Sequence, residues 1–581
     1  MTVSVTWNGS TITNATVTAG TPESGWSVVK VTSGGGTPGV EPADGSIDGD
    51  GAITTTSNQK RILLYYDLGA GNELDFSGGG AQEGQFVYIW ANFLAASLLN
   101  PYQSGGFGVF MDSNAPSSNQ HALWYVYGSD NYSGGWKRFI IDPTTTPSTN
   151  PGTAINTAAI RYIGIFAETN ATARFDNMIV DRMDVGNGYD ITGTSTLGLM
   201  QEVLNYEKSG SPLNVYGVVK SLNDSDTAFE LAGTLNLGDT TATNSTISDN
   251  DSKIFVAEPI YYNGTADAPS VPTTAFGINV VGGAGVESLT LGNAVGTSGG
   301  RNGITLVGNS TYDFAVDFSD GNVETGNWFG CSLENLSGAL SFDAASHSFK
   351  GNSVVNCTGM SFVTGSSASE CSFVSCGTVS LAGTASLTDC IFAEADANAV
   401  QTADLDNLSD CSFTRGSAGH AVELTSIGDG SMGWNCKLTG YATGSAGSPV
   451  TPTNNGDEAI FVNVGSGSLT ITVADGAATP SIRSAGATVT VQVGLKTLTI
   501  SNVISGSDVV IKTAGTLTKL QDDQDIAGTS TTYTYTYSAG TFVDVAVYAE
   551  GYVPYYVNGF GLGPDGGTIQ VAQVADRNYV P

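Results

Sequence analysis

The chain has 581 residues, enough for three or four domains, and its 54 acidic against 20 basic residues give a net charge of −34. A surface this acidic repels phosphate backbones and anionic lipid headgroups, which excludes nucleic acid as a partner and leaves membrane binding by charge without a source. Charged residues are only 13 % of the chain while glycine reaches 76 residues, a turn-rich, β-forming composition.

Met1-Thr2-Val3-Ser4-Val5-Thr6-Trp7 has neither a basic n-region nor an apolar h-region. No run approaches the ~18 apolar residues of a membrane helix. The expectation is a soluble chain made in a cytoplasm, without membrane insertion. Its seven cysteines are then reduced thiols by default.

Residues 1–190 read as one sandwich domain built from many short strands between Gly, Asn, Asp and Pro turns. Aromatic residues concentrate there, at Tyr65-Tyr66, Phe86-Val-Tyr88-Ile-Trp90, Trp124-Tyr125-Val126-Tyr127 and Tyr162-Ile-Gly-Ile-Phe166, several alternating at period two so that one face of each strand enters a core. The closing stretch Ala173-Arg174-Phe175-Asp176-Asn177-Met178-Ile179-Val180-Asp181 resembles the last strand of concanavalin-like (laminin-G-like) jelly rolls. Such domains stack aromatic rings on pyranose faces beside a few polar groups, so the resemblance implies Trp124, Tyr125, Tyr127, Tyr132 and Trp136 as glycan-binding candidates. The plainer reading is that these rings are core, because alternation buries about half of any such run.

Residues 191–235 are expected to form a linker with a short helix and lead-in strands. Leu199-Met200, Val203-Leu204 and Glu207-Lys208 recur at helical spacing, ended by Gly210 with Pro212 beyond. A GTLNLGD strand at 233–239, SDNDSKIFV at 248–256 and TTAFGINVVGG at 273–283 then precede Gly-rich coils. This order, over 214–308, resembles a lead-in of structural proteins of tailed-phage particles. The resemblance implies a fibre or tailspike-type virion appendage with a right-handed parallel β-helix.

Residues 236–450 read as that parallel β-helix. A cassette of polar residue, cysteine, small or polar residue and apolar residue recurs at Gly330-Cys331-Ser332-Leu333, Glu370-Cys371-Ser372-Phe373, Asp389-Cys390-Ile391-Phe392, Asp410-Cys411-Ser412-Phe413 and Asn435-Cys436-Lys437-Leu438, with a looser copy at Asn356-Cys357. Its irregular period, near ~20 residues, is the length of one solenoid coil. Cys331, Cys357, Cys371, Cys390, Cys411 and Cys436 are therefore expected to form an internal ladder, with the Phe or Leu two residues later on the same inward face. Thr/Val alternation predicts a β-rich module over 457–515. Tyr533-Thr-Tyr535-Thr-Tyr537, Phe542-Val-Asp-Val-Ala-Val547 and Glu550-Gly-Tyr552-Val-Pro554 resemble small Ig-like or carboxypeptidase-regulatory-like modules at the ends of phage fibre proteins, and the resemblance implies an Ig-like module over 516–581. The fold class expected is all-β: an N-terminal jelly-roll sandwich, a central parallel β-helix solenoid and a C-terminal β-sandwich.

Chemistry leaves fewer traces. His121, His347 and His420 have no second histidine or cysteine at ligand spacing, and no G-x-S-x-G, Walker loop or nucleotide fingerprint occurs. Tailspikes that cut polysaccharide use carboxylate pairs along the rod, which makes Glu394, Asp396, Asp404 and Asp406 the catalytic candidates, a solvated acidic face being the plainer explanation. Asp44, Asp48 and Asp50 in a Gly-rich loop, Asp249 with Asp251, and Asp522, Asp523 and Asp525 are candidates for a structural Ca²⁺; no other cofactor is expected. The sequence thus points to a virion structural appendage that attaches to surface glycans, with other virion proteins as partners and a homotrimer implied by the phage resemblance. The alternatives are a polysaccharide depolymerase tailspike using acids on the β-helix and a bacterial surface adhesin.

Overall fold

The computed structural model describes residues 3–14, 17–18, 21–22, 24–30, 40–43, 52–55, 61–93, 99–100, 106–116, 122–127, 135–148, 155–168, 178–209, 218–238, 245–256, 261–262, 269–270, 276–280, 286–292, 303–308, 314–318, 323–342, 347–395, 397–474, 476–536, 540–563, 566–577 and 579. They are nearly all β and divide into two compact units, Met1–His347 and Ser348–Pro581. No helix among them is long and apolar enough to cross a membrane.

The first unit opens with two antiparallel sheets. One contains Phe107–Asp112, Ala122–Tyr127, Tyr162–Glu168, Arg61–Asp67 and Trp26–Lys30; the other is built on Gly135–Ile141, Phe86–Phe93 and Met178–Gly186. Between them lies a core of alternate residues, among them Ile62, Leu64, Val87, Ile89, Val109, Met111, Ile163 and Ile165. Leu63, Phe110, Leu123 and Phe166 occupy the opposite side of the first sheet and are buried too. This sheet therefore reads as near-continuous apolar runs.

Parallel stacking begins before the sandwich is left behind. Gly188–Thr192 pairs antiparallel with Ser4–Trp7 on one side and parallel with Thr234–Leu237 on the other. Phe276–Val280, Phe314–Phe318 and Leu340–Phe342 continue the stack. Two further stacks, Ala228–Leu231 to Ser332–Glu334 and Ser245–Asp249 to Val323–Phe329, complete coils of three strands. The helix Leu199–Lys208 packs on Ser4–Trp7, Val219–Ser221 and Ser245–Asp249, burying Leu199, Met200, Val203 and Leu204. It covers the open first coil, which has no preceding coil to pair with. What reads in sequence as a linker over 191–235 is thus the cap and first turn of the solenoid.

The second unit repeats the three-strand coil. One face stacks Met360–Phe362, Val379–Leu381, Val400–Thr402, Val422–Leu424, Ile460–Val462 and Ile482–Ser484; the next stacks Ser353–Val355, Ser372–Val374, Ile391–Ala393, Ser412–Thr414 and Lys437–Thr439. Coils continue to Ser468–Val473 and Thr488–Val493, so the solenoid extends past residue 450 into the stretch read as a separate module. A β-sandwich follows, with strands from Leu495–Ser501 to Gly567–Gln570 and a core that includes Leu498, Ile500, Val509, Ile511, Val543, Val545 and Val547. The division expected at 515/516 falls inside this sandwich.

The cysteine cassette marks a corner of the coil. Gly330, Glu370, Asp389 and Asp410, each just before a cysteine, have φ of 66°, 55°, 52° and 53°. This left-handed residue turns the chain between two faces and aims the next side chain inward. Asn352, after Gly351 at φ 66°, holds the same corner in the coil that lacks a cysteine there. Its backbone N–H donates to Cys371 Sγ at 3.4 Å. Cys357 and Cys376 follow Asn356 and Ser375, at φ 51° each, and belong to the next corner of the coil. In the second unit the expected single ladder is therefore two ladders, and from Asn352 through Cys371, Cys390 and Cys411 to Cys436 each step is about one coil of ~20 residues. Inside, Phe373, Phe392 and Phe413 stack face to face, with centroids 4.7 and 5.0 Å apart and planes within 9° and 12°.

Candidate functional site

Most of the residues singled out in the sequence are committed to structure. Trp124 lies in the sandwich core at 0 % exposure, and its indole N–H donates to Thr145 Oγ1 at 3.2 Å; a ring with no open face cannot stack on a sugar. Tyr125 points to the opposite side and is buried against Phe166. These two are corrected from glycan platforms to packing residues. Trp136 is half-buried on Gly135–Ile141, while Tyr132 and the Tyr127 side chain lie outside the described residues.

The acids disperse in the same way. Asp404 accepts from the Asp406 backbone N–H at 3.0 Å and starts the short 3-10 turn Leu405–Asn407, and Asp406 Oδ1 accepts from Gly433 N–H at 2.7 Å. Both follow the strand Val400–Thr402, whereas Glu394 follows Ile391–Ala393 on a different sheet. Asp396, Asp44, Asp48 and Asp50 lie outside the described residues. Asp249 is buried and its Oδ2 accepts from Met200 N–H at 2.9 Å, which holds the start of the helix; Asp251 is an exposed turn residue with φ 69°. Asp522 pairs with Lys519, Asp523 accepts from Gln521 Nε2, and the Asp525 N–H donates to Asp508. Among the described residues no three acids, histidines or cysteines gather as a metal site.

A different group does converge, on the open side of the second unit's solenoid. The triplets Val400-Gln401-Thr402, Val422-Glu423-Leu424 and Ile460-Phe461-Val462 bury their outer residues and leave the central one half-buried, and Ile482-Arg483-Ser484 buries Ile482 and leaves Arg483 half-buried. Register places Gln401, Glu423, Phe461 and Arg483 in one row. At one strand spacing per step the row runs about 14 Å. Glu423 has both oxygens fixed: Oε2 accepts from Asn398 Nδ2 at 2.8 Å and Oε1 from Asn463 Nδ2 at 2.7 Å. Each oxygen keeps a lone pair for a further donor.

Beside this row His420 is buried, with Nδ1 2.6 Å from the Glu458 carbonyl and Nε2 3.3 Å from Arg483. A carbonyl can only accept and a guanidinium only donate, which makes Nδ1 the donor and Nε2 the acceptor. Arg483 is thereby held over Phe461, its Cζ 4.6 Å from the ring centroid. Gly419, at φ 77°, lets the chain approach so closely that a Cβ there would stand 2.1 Å from the Ala397 carbonyl oxygen, and this brings His420 against the preceding coil. At the adjoining corner Ser375, Glu394, Arg415, Gly416 and Ser417 line an open depression of about 420 Å³.

Fold and site together define the class: an all-β chain with a parallel β-helix that presents a shallow, amide- and acid-lined row flanked by an aromatic ring. No family model matches the chain, and no curated protein matches it. Among solved structures, it is similar to the catalytic domain of a GH87 alpha-1,3-glucanase in complex with nigerose, at 10 % identity and a TM-score of 0.22, over 81 % of this chain and 98 % of that one. It is also similar to the catalytic unit of a thermostable GH87 alpha-1,3-glucanase from Streptomyces thermodiastaticus strain HF3-3, at 11 % identity and a TM-score of 0.16, over 81 % and 95 %. Superpositions this loose carry no argument about the chemistry of this chain.

Proposed function

We propose that the protein binds polysaccharide along the row Gln401, Glu423, Phe461 and Arg483. The observation that carries this reading is Glu423: an outward carboxylate whose two oxygens are oriented by Asn398 and Asn463, in register between an amide and an aromatic residue. Sugar hydroxyls need fixed acceptors and donors beside an apolar surface, and a shallow row serves a chain ligand better than a closed pocket. Expected outcome: the full chain is retarded in gels containing its polysaccharide, and Glu423→Ala or Phe461→Ala weakens the retardation about tenfold. Retardation of both variants equal to that of the parent chain would remove the reading.

Cleavage of the bound chain is the second reading, favoured by Glu394. It is exposed at the wall of the depression it shares with Arg415, one corner away from the row. New reducing ends in the incubated polysaccharide, lost in Glu394→Gln, would establish hydrolysis; binding without new ends would leave a binding protein. The setting we propose, a homotrimeric appendage of a phage particle in contact with other virion proteins, is supported by the sequence resemblance over 214–308. Light scattering that returned a monomer would count against it.

A further inference from the structure

The outer face of the C-terminal sandwich carries side chains that its core does not use. In Ser507–Thr513 and Phe542–Tyr548, Val509, Ile511, Val543, Val545 and Val547 point inward. From the opposite side, and from Tyr555–Gly561, Lys512, Asp544, Ala546, Tyr548, Tyr556 and Asn558 line a depression of about 210 Å³.

Its geometry is specific. Tyr548 and Tyr556 are 39 % and 56 % exposed, although two strands of apolar core lie directly beneath. Their centroids are 5.9 Å apart with planes at 85°, which makes an angled notch rather than a flat patch. The Tyr556 hydroxyl lies 3.5 Å from that of Tyr548. At the floor, Asp544 Oδ1 accepts from Gly559 N–H at 2.7 Å and Oδ2 from Gly515 N–H at 2.8 Å. The Gly515 and Gly559 bonds hold this carboxyl below the usual carboxylate range, with a smaller contribution from Lys512. It is ionised, immobile, and has one lone pair left on each oxygen. Asn558 is exposed at the rim.

We infer that this notch is a second carbohydrate site, separate from the solenoid row, which takes one neutral sugar unit on Tyr556 against Tyr548 with its hydroxyls on Asp544, Lys512 and Asn558. Exposed rings set at an angle give a pyranose both a face and an edge contact. The fixed acceptor and the adjacent ammonium supply opposite halves of a hydroxyl's hydrogen bonding. Because Lys512 and Asp544 offset each other, the site has little net field to select an anionic sugar. The volume is below the ~300 Å³ at which drug-sized clefts begin, which limits the occupant to about one ring.

Affinity electrophoresis of the full chain through gels containing laminarin, dextran, mannan or polygalacturonate tests this. At least one neutral polysaccharide is expected to retard the protein, Tyr556→Ala and Tyr548→Ala to weaken that retardation about tenfold, and Tyr556→Phe to keep most of it. Phe461→Ala, which alters only the solenoid row, should leave the part of the retardation that depends on Tyr556. No retardation by any neutral gel, retardation by polygalacturonate alone, or unchanged behaviour of Tyr556→Ala would overturn the inference, as would complete loss in Phe461→Ala. Melting curves check folding; should a tyrosine variant fail to fold, Asn558→Ala and Lys512→Ala carry the same test with the same expected weakening.

Discussion

At the scale of single residues, the buried cysteines are corner pieces with a hydrogen-bonding task. Cys371 Sγ lies 3.2 Å from the Phe349 carbonyl of the preceding coil and 3.1 Å from Ser369, and Cys376 lies 3.4 and 3.2 Å from Val354 and Val374. Each thiol donates to a carbonyl where the chain leaves a strand. The thiols of Cys390 and Cys411 are pushed up to about 12: the bond to the preceding cysteine of the row lowers each, and the bond to the following cysteine together with burial outweighs it. They are inert in the folded chain. Cys371→Ala should cost about 1–3 kcal/mol in denaturant unfolding, through an unsatisfied carbonyl and a small cavity, and Cys371→Ser less, because its hydroxyl still donates. His347 makes the opposite prediction about polarity. It is buried with neither ring nitrogen hydrogen-bonded, stacked on Phe318 at 5.9 Å and edge-on to Phe342, and desolvation lowers its pKa from 6.5 to about 4. A folded-state value below the unfolded one means stability that is present above pH ~6.5 and lost as pH falls towards 4, by about 3 kcal/mol. The acid half of the stability–pH curve should flatten in His347→Phe; an identical curve would contradict this.

Among the elements, the helix Leu199–Lys208 holds the start of the solenoid through one buried acid. Glu207 Oε1 accepts from Tyr189 Oη at 2.5 Å and from the Val218 and Val219 N–H groups at 3.1 and 3.0 Å. Burial raises its pKa to about 7 against those bonds. Here the folded value lies above the unfolded one, so stability falls as pH rises from about 4.5 to 7, a window in which His347 acts in the other direction. Glu207→Gln keeps the three acceptor bonds without the charge and should melt higher than the parent at pH 8, whereas Glu207→Ala should melt lower at every pH. The helix was legible because Leu199, Met200, Val203 and Leu204 keep their spacing; its role as a cap was not, because no local pattern distinguishes a cap from a linker. The cassette was legible for the reason that made it necessary, since a left-handed polar residue before an inward thiol repeats once per coil. Asn352 broke that repeat in sequence while filling the same corner in space. Period two predicts that about half of the aromatic residues near Trp124 are buried, whereas Trp124 and Tyr125 are both buried because the opposite face of that sheet is covered as well.

For the whole molecule, the proposed function rests on register that cannot be counted from the chain. Val422-Glu423-Leu424 and Ile460-Phe461-Val462 look like any solenoid triplets, and the long connection between them hides that they are neighbours. Glu394 and Asp404, close in sequence, follow different strands, Ile391–Ala393 and Val400–Thr402, which belong to different faces of the coil. The proposed glycan binding lies on the row those triplets form, with the proposed notch of the C-terminal sandwich as an independent site. Hydrogen exchange on the full chain, with and without a polysaccharide that retards it in gels, tests this placement. Slowed exchange is expected in Val400–Thr402, Val422–Leu424, Ile460–Val462 and Ile482–Ser484 together, and separately in Phe542–Tyr548 and Tyr555–Gly561. A retarded protein whose protection misses the four solenoid strands would contradict binding along the row.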